Sequence, residues 1–198
     1  MRKIILASAS PRRKALLQQI GIIFQVDKSN YEEDMIKNIN LSAKELTKKF
    51  SLEKANNVAK KYKDAIIIAA DTVVYFRNKI YGKPKNKKIA YKMLKDFSNN
   101  WHEIVTGFTV IDTKTKKNLT SYTKSRVLFK KLTESEINAY IKTGEPFDKA
   151  GAYGIQEKGL ALIEKIEGDY SNVVGLPIST LLKVLYEFGI SIESFWNI

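Results

Sequence analysis

The run Ala65–Ala70 is the most apolar stretch of this chain of 198 residues. It contains only alanine and isoleucine, which predicts a central buried strand. Asp71 and Thr72 follow it directly. A carboxylate attached to a buried strand costs free energy unless a cation or several hydrogen-bond donors meet it. The structural alternative is an Asp that caps a turn, but Val73–Phe76 continues the extended pattern, so we interpret Asp71 as a functional acid.

The beginning of the chain carries a second feature, in which a short apolar run ends at Ser8. Ser10 and Pro11 then have the pattern of an N-cap followed by proline at the first helical position. Arg12 and Arg13 lie in the first turn of that predicted helix. Free backbone donors, the positive end of the helix dipole and two guanidiniums together favour an anion site for phosphate. An ordinary first helix with solvated basic residues is the alternative.

Composition limits the kinds of metal site and of membrane contact that the chain can make. It contains no cysteine and one histidine, which excludes thiolate chemistry and the common zinc sites. A metal would therefore be held by oxygen, and this favours Mg²⁺ or Mn²⁺. No apolar segment approaches the ~20 residues of a membrane helix, and no signal peptide is evident, so we expect a cytoplasmic protein without a membrane partner.

The formal net charge of +13 is compatible with a nucleic-acid partner. The lysines are, however, spread over the whole chain beside many Asn and Ile residues, which indicates a compositional bias and not a binding stripe. We therefore consider nucleic acid an unfavoured partner. A basic protein also attracts small polyanions, so the charge agrees with a nucleotide substrate.

The remaining patterns predict alternating strands and helices in one domain over residues 1–198, with no linker and no repeat. Capping boxes at Ser42–Glu45 and Thr133–Glu136 predict the starts of two helices. Further expectations are a strand at Ile22–Val26, a hairpin turn at Asn78-Lys79, an amphipathic helix over Ile89–Phe97, a strand from His102, a strand at Leu160–Ile166, a turn at Gly168–Ser171 and a last helix after Pro177.

Several polar residues have two interpretations at this point. Glu32-Glu33-Asp34 are three adjacent acids in a loop, a pattern that is usually solvated. Lys54 lies near the edge of an apolar helix stripe, where its ammonium either reaches water or points along a cleft. Lys83 is held extended by Pro84 on a segment expected to pair next to Asp71. His102 lacks a partner for a metal site in the sequence around it, and we interpret it as structural.

A dense loop, Phe147–Gln156, contains two glycines that allow close approach of a ligand, with Asp148, Lys149 and Gln156 as sources of polar contacts. Together with the stretches above, it resembles the Maf-like nucleotide pyrophosphatases. The stretches that carry the resemblance occur in the family's order and reach to about Gly189: Leu6–Arg13, Glu32-Glu33, Glu53–Ala55, Ala70–Val74, Gly82–Pro84, His102–Gly107, Asp148–Gln156 and Val173–Pro177.

The resemblance implies a hydrolase, dependent on Mg²⁺ or Mn²⁺, that splits a nucleoside triphosphate into the monophosphate and pyrophosphate. It implies a mixed α/β fold, with a central sheet flanked by helices and two lobes around a cleft, similar to inosine triphosphate pyrophosphatase, and a homodimer. The Asp148–Gln156 stretch is similar to the branch that acts on dTTP and UTP, with modified pyrimidine nucleotides as a further candidate. Glu157-Lys158 departs from the family, because relatives often have glycine after the glutamine.

The resemblance also implies the role of each site residue. Asp71 and Glu33 hold the metal, and Asp71 orients or deprotonates the attacking water. Arg12, Arg13, Lys54 and Lys83 neutralise the phosphates, and Ser8 belongs to the same substrate-binding stretch. Thr72, Gln156 and Arg12 select the base. The alternative is a non-catalytic nucleotide- or nucleic-acid-binding regulator of cell division, which has no need of carboxylates facing the phosphates.

Overall fold

The computed structural model describes residues 2–31 and 41–196. Within these residues the strands form a seven-stranded mixed sheet in the order β2-β1-β3-β5-β6-β7, with β4 paired to β3. β1 lies parallel to both β2 and β3, whereas β4 is antiparallel to β3 and β7 is antiparallel to β6. The strands are β1 (Ile4–Leu6), β2 (Gln25–Val26), β3 (Ile66–Phe76), β4 (Lys79–Tyr81), β5 (Trp101–Asp112), β6 (Asn118–Phe129) and β7 (Ile163–Glu167).

Helices alternate with these strands, and the fold class expected from the sequence is confirmed. None of the helices in the two described ranges is long and apolar enough to span a membrane. The helices are α1 (Pro11–Gln19), α2 (Ala43–Ala59), α3 (Lys87–Phe97), α4 (Glu134–Lys142), α5 (Tyr170–Val174), α6 (Ile178–Glu187) and α7 (Glu193–Trp196).

Local signals predict the helix starts correctly. Ser10 is the N-cap of α1, and its side chain accepts a hydrogen bond from the backbone N–H of Arg13. Both capping boxes are formed, because Glu45 and Glu136 each bond back to the residue that caps their helix. These bonds satisfy N–H groups that have no partner inside the helix. The information lies within four residues, which is why the sequence alone reveals it.

The hairpin turn was predicted one residue too late. Phe76 pairs with Lys79, so the two turn residues are Arg77 and Asn78, with φ angles of 47° and 60°. A two-residue turn with both φ angles positive matches the twist of the strands that it joins, and Asn tolerates this conformation well. Lys79 therefore belongs to β4 and not to the turn.

Three other elements differ from expectation. The second strand is shorter than predicted and comprises only Gln25–Val26. A 3₁₀ turn occupies the first part of the strand expected at Leu160–Ile166, and β7 begins at Ile163. The expected turn at Gly168–Ser171 leads into α5 instead, because the Asp169 carboxylate accepts a hydrogen bond of 2.7 Å from the Ser171 N–H and caps the new helix.

Over the described residues the chain divides into two compact units. Unit 1 comprises Met1–Asp71, Thr106–Thr123 and Gly175–Ile198, and unit 2 comprises Thr72–Val105 and Lys124–Val174. The first change of unit therefore falls inside β3, directly after Asp71. That the whole chain is one domain of two lobes stays a prediction.

The core of unit 1 lies where α2 packs against the sheet. Ala55 and Val58 of α2 are buried with apolar residues of β1, β3 and β5. Gly107 of β5 makes this packing possible, because a Cβ atom there would lie 2.5 Å from the backbone N of Lys48 and the backbone O of Thr47. Ser51 of α2 also forms a buried hydrogen bond of 3.0 Å with Thr109 of β5.

Gly107→Ala will therefore destabilise the protein, because the added methyl group meets backbone atoms of α2 that cannot rotate away. We expect a loss of at least about 2 kcal/mol in the free energy of unfolding. Gly82→Ala is the matched control, since a Cβ atom at Gly82 would have no other heavy atom within 4 Å. Urea denaturation of the two variants measures the difference, and equal midpoints would show that α2 does not approach β5 this closely.

The core of unit 2 is built around His102, which is 2% exposed. Its ring stacks on Phe97 with 4.4 Å between the centroids, and Nε2 forms a hydrogen bond of 2.7 Å with the hydroxyl of Tyr153. Burial lowers the pKa of His102 from 6.5 to about 3, because the charged form loses its hydration. The structural interpretation of this histidine is confirmed.

The low pKa makes stability depend on pH. Above about pH 6.5 the histidine is neutral in both states, whereas between pH 6.5 and 3 only the unfolded chain binds the proton. His102 therefore lowers the free energy of unfolding by about 1.4 kcal/mol for each pH unit below 6.5. Because it is the only histidine in the chain, an NMR titration of its ring is unambiguous. A ring that stays neutral at pH 5 is expected, and one that titrates near pH 6.5 would contradict this burial.

Candidate active site

Two stretches that contain predicted site residues lie at the same edge, just beyond the last paired residues of β1 and β3. Leu6 of β1 is the parallel partner of Ile68 in β3, so the loop that begins at Ala7 and the residues after Ile68 continue in the same direction. The backbone N–H of Ala7 donates a 2.7 Å hydrogen bond to Ile68 O and prolongs the pairing. Ligands in α/β proteins bind at the carboxyl ends of parallel strands. This edge therefore carries both the loop that contains Ser8 and the acid Asp71.

Asp71 is buried and paired. The run before it is fully buried, and Asp71 itself is 6% exposed. The ammonium of Lys54 lies 2.6 Å from its Oδ1, and both side chains are largely removed from solvent. The attraction offsets the cost of burying either charge alone. The sequence predicted that a cation or several hydrogen-bond donors meet Asp71, and the structure shows that Lys54 is one such cation.

Helix α2 positions Lys54. The helix is docked on the sheet at Gly107, and the neighbour of Lys54, Ala55, is fully buried. The backbone of the helix is therefore fixed on either side of the lysine. Of the two interpretations of Lys54 made from the sequence, the first, an ammonium that reaches water, is wrong, because the ammonium pairs with Asp71. That it points along a cleft stays a prediction.

The loop between β1 and α1 is held by Arg13. Its Nε donates to the carbonyl oxygen of Gly175 at 2.8 Å, and its Nη1 donates to Ser8 Oγ at 3.1 Å. Ser8 Oγ also accepts from the backbone N–H of Ser10 at 3.3 Å. The guanidinium thus connects the start of α1 with the turn before α6, and the side chain predicted to bind phosphate also organises the loop. Arg12, in the same helical turn, is half-buried.

The other predicted site residues lie in unit 2. Thr72 directly follows Asp71 in β3 and is half-buried. Lys83 is exposed beyond the end of β4, and the expected pairing of its segment stops at Tyr81 opposite Val74. Gln156 is exposed and follows the buried residue Ile155. The roles of these three residues stay predictions.

The metal ligands are the least defined part of the site. Glu33 lies outside the described residues. Across residues 2–31 and 41–196, no group of three or more His, Asp or Glu side chains is arranged to hold a metal ion. Asp71 is therefore the single predicted metal ligand that the structure describes.

Some contacts of this region could not be anticipated from the sequence. One is the hydrogen bond that the Gly175 carbonyl accepts from Arg13, because no residue type in the sequence marks a backbone acceptor. The burial of Lys149 is another, since this lysine is 5% exposed and bonds to Asp148 at 2.7 Å. The signal that pointed to this region was the pair of glycines in the loop Phe147–Gln156.

Comparisons with known proteins cover nearly the whole chain. The sequence model of a family described as "Maf-like protein" matches residues 3–188. A protein of Alkaliphilus oremlandii named "dTTP/UTP pyrophosphatase" is 51% identical over 93% of this chain and 95% of its own length. Proteins with the same name from Acetivibrio thermocellus and Methanosarcina barkeri are 47% and 48% identical over 97% of this chain, and over 98% and 97% of their own lengths.

A solved structure shows the same fold at low sequence identity. The structure of a HAM1 protein from Coxiella burnetii superimposes with a TM-score of 0.51 at 13% identity, covering 94% of this chain and 100% of that chain. At this identity the likeness concerns the fold alone. It agrees with the mixed sheet flanked by helices described above.

Proposed function

Because the chain belongs to the Maf-like protein family, we propose that it is a nucleoside triphosphate pyrophosphatase that hydrolyses dTTP and UTP to the monophosphate and pyrophosphate. The observation that carries this proposal is the buried Lys54–Asp71 pair, in the part of β3 that lies just beyond its pairing with β1. Relatives named for this activity match over nearly their full length. Ionisable groups that are buried and paired with a specific charge partner are candidates for catalytic residues.

The reaction requires a water molecule to attack the α-phosphorus. Asp71 accepts or directs the proton of that water, and Lys54 fixes the carboxylate through its bond to Oδ1. As the bond to the leaving pyrophosphate breaks, negative charge develops on it. Lys54, Lys83 and the two arginines of α1 supply positive charge for that step. Ser8 and the first turn of α1 contribute hydrogen-bond donors to the phosphates.

The donor chemistry fits a hard divalent cation. Asp71 is a carboxylate, which Mg²⁺ and Mn²⁺ prefer as a ligand, and Glu33 is proposed as the second carboxylate. When bound, such a cation supplies charge neutralisation between the acids and the triphosphate. The alternative of a non-catalytic regulator or nucleic-acid binder is not favoured, because a binder of polyanions gains nothing from a buried carboxylate beside its ligand.

We also propose a cytoplasmic location, as the sequence pattern leads us to expect, and a homodimer, which rests on the resemblance alone. For the base, Gln156 offers an amide whose donor and acceptor complement the N3–H and carbonyl groups of uracil or thymine. Thr72 and Arg12 are the two other residues proposed to select the base.

Product analysis tests the proposed reaction. The protein is incubated with dTTP, UTP, CTP and GTP in the presence of Mg²⁺ or Mn²⁺, and the products are separated by ion-exchange chromatography. We expect dTTP and UTP to be the best substrates and to give monophosphate and pyrophosphate in equal amounts. Orthophosphate and a nucleoside diphosphate as the first products would overturn the proposal.

Asp71→Asn will remove most of this activity, because the amide keeps the shape of the side chain but loses the charge that acts on water. We expect the turnover number for dTTP to fall about 10²- to 10⁴-fold, the usual contribution of a general base. Asp64→Asn is the matched control, since Asp64 is an exposed acid that precedes the same strand and pairs with Arg2. Near-wild-type turnover in Asp71→Asn, at saturating metal and with an unchanged circular dichroism spectrum, would show that Asp71 is not the base.

Gln156→Ala will change the preference among bases, because a site that must pair with the base rejects a mismatched edge strongly. We expect its catalytic efficiency to fall more for dTTP and UTP than for GTP. Lys83→Ala is the control, since a phosphate contact serves every triphosphate alike and its loss lowers all efficiencies by a similar factor. Equal losses across the bases in Gln156→Ala would place base selection elsewhere, at Thr72 or Arg12.

A further inference from the structure

The segment Glu145–Glu157 contains a buried lysine that the proposed mechanism does not use. Lys149 is 5% exposed, although lysine is among the residues least often buried. Burying an ammonium is costly unless its donors are matched by acceptors. The groups that compensate this burial therefore determine how the segment is held.

The ammonium is matched by three oxygen atoms. Nζ donates to the carbonyl oxygen of Glu145 at 2.9 Å and to Asp148 Oδ1 at 2.7 Å, and it forms an ion pair with Glu157 Oε2 at 3.4 Å. Two of these contacts are hydrogen bonds, and the third is an ion pair. Because Glu145 begins the segment and Glu157 ends it, this single ammonium joins the two ends of the loop.

The packing around the lysine is equally specific. The chain crosses the aliphatic part of Lys149 at Gly154, where a Cβ atom would lie 2.6 Å from Cε and 2.8 Å from Cδ of the lysine. The backbone N–H of Gly154 donates to the hydroxyl of Tyr140 at 3.3 Å, and Ile155 is 3% exposed. The two residues before Gln156 are therefore held from inside unit 2.

We propose that Lys149 is a positioning residue for base selection, which fixes Gln156 by holding the residues on both of its sides. Gly154 and Ile155 are packed on one side, and Glu157 is paired to the ammonium on the other. The side chain of Gln156 itself is exposed, and neither the packing before it nor the ion pair after it orients that side chain directly. The amide discriminates between bases only when its two polar atoms are aligned with the base. The exposed side chain does not fix this alignment by itself, so the rigid loop provides it. This inference rests on the proposed function of Gln156.

A structural lysine would give a different result from a positioning lysine. Loss of a merely structural group lowers stability and slows all substrates by one factor. Loss of a positioning group lowers discrimination between bases, and it does so through Gln156. UTP and CTP are suitable probes, because they share sugar, ring size and triphosphate and differ at the edge that an amide would contact.

The test is a double-mutant cycle with the complete protein. Catalytic efficiency for UTP and for CTP is measured in wild type, Lys149→Met, Gln156→Ala and the double variant, below the melting temperature of each. Lys149→Met should reduce the ratio of the UTP to the CTP efficiency about tenfold, the effect of misplacing one hydrogen bond to the base. The double variant should have the same ratio as Gln156→Ala alone, since coupled residues are not additive.

Two further variants control the experiment. Lys165→Met removes an exposed lysine of unit 2 that pairs with Glu167, and it should leave the ratio unchanged. Glu157→Gln keeps Lys149 and removes the charge at one end of the loop, so it should lower the ratio in the same direction even where Lys149→Met does not fold.

The outcomes separate the two proposals. Equal slowing of UTP and CTP in Lys149→Met or in Glu157→Gln, a ratio in the double variant below that of Gln156→Ala, or no preference in wild type would overturn the role of Lys149. A wild-type protein that releases no pyrophosphate from UTP would overturn the proposed function itself.

Discussion

The structure depends on one buried charge pair. Asp71 follows a run of β3 in which every residue is fully buried, so its carboxylate is removed from water by the strand that carries it. A cation brought to the same place offsets the cost of this burial, and the ammonium of Lys54 lies 2.6 Å from Oδ1. The lysine reaches Asp71 because α2 lies directly on β5 at Gly107. The close packing at Gly107, which is far from Asp71 in the sequence, is therefore a condition for the proposed chemistry.

A second buried ammonium that is paired with carboxylates lies in unit 2. Lys149 is also buried and also paired to carboxylates, but its partners belong to the loop around it and not to a strand. In unit 1 a buried ammonium holds an acid that is proposed to act on water. In unit 2 it organises a loop whose exposed glutamine is proposed to contact the base. In both arrangements a buried charge requires partner groups close to it, and this requirement holds a polar side chain in one position.

Local interactions were predictable from the sequence, and long-range ones were not. The N-cap at Ser10 and the boxes at Ser42 and Thr133 are complete within four residues, so their helices were placed correctly. β7 was predicted too early, because the apolar character of Leu160 indicates a strand although its side chain is exposed. The Lys54–Asp71 bond joins residues on different elements, and no local pattern specifies it. The sequence predicted that Asp71 needs a cation or several hydrogen-bond donors, but only the packing of α2 brings Lys54 to it.

The central claim is that water guided by Asp71 attacks the α-phosphorus of a pyrimidine nucleoside triphosphate. Hydrolysis of dTTP in water enriched in ¹⁸O tests this directly, because the oxygen of the attacking water stays on the phosphorus that it attacks. Mass spectrometry of the products is expected to find one ¹⁸O atom in the monophosphate and none in the pyrophosphate. Label in the pyrophosphate would place the attack on the β-phosphorus and would contradict the mechanism proposed for this site.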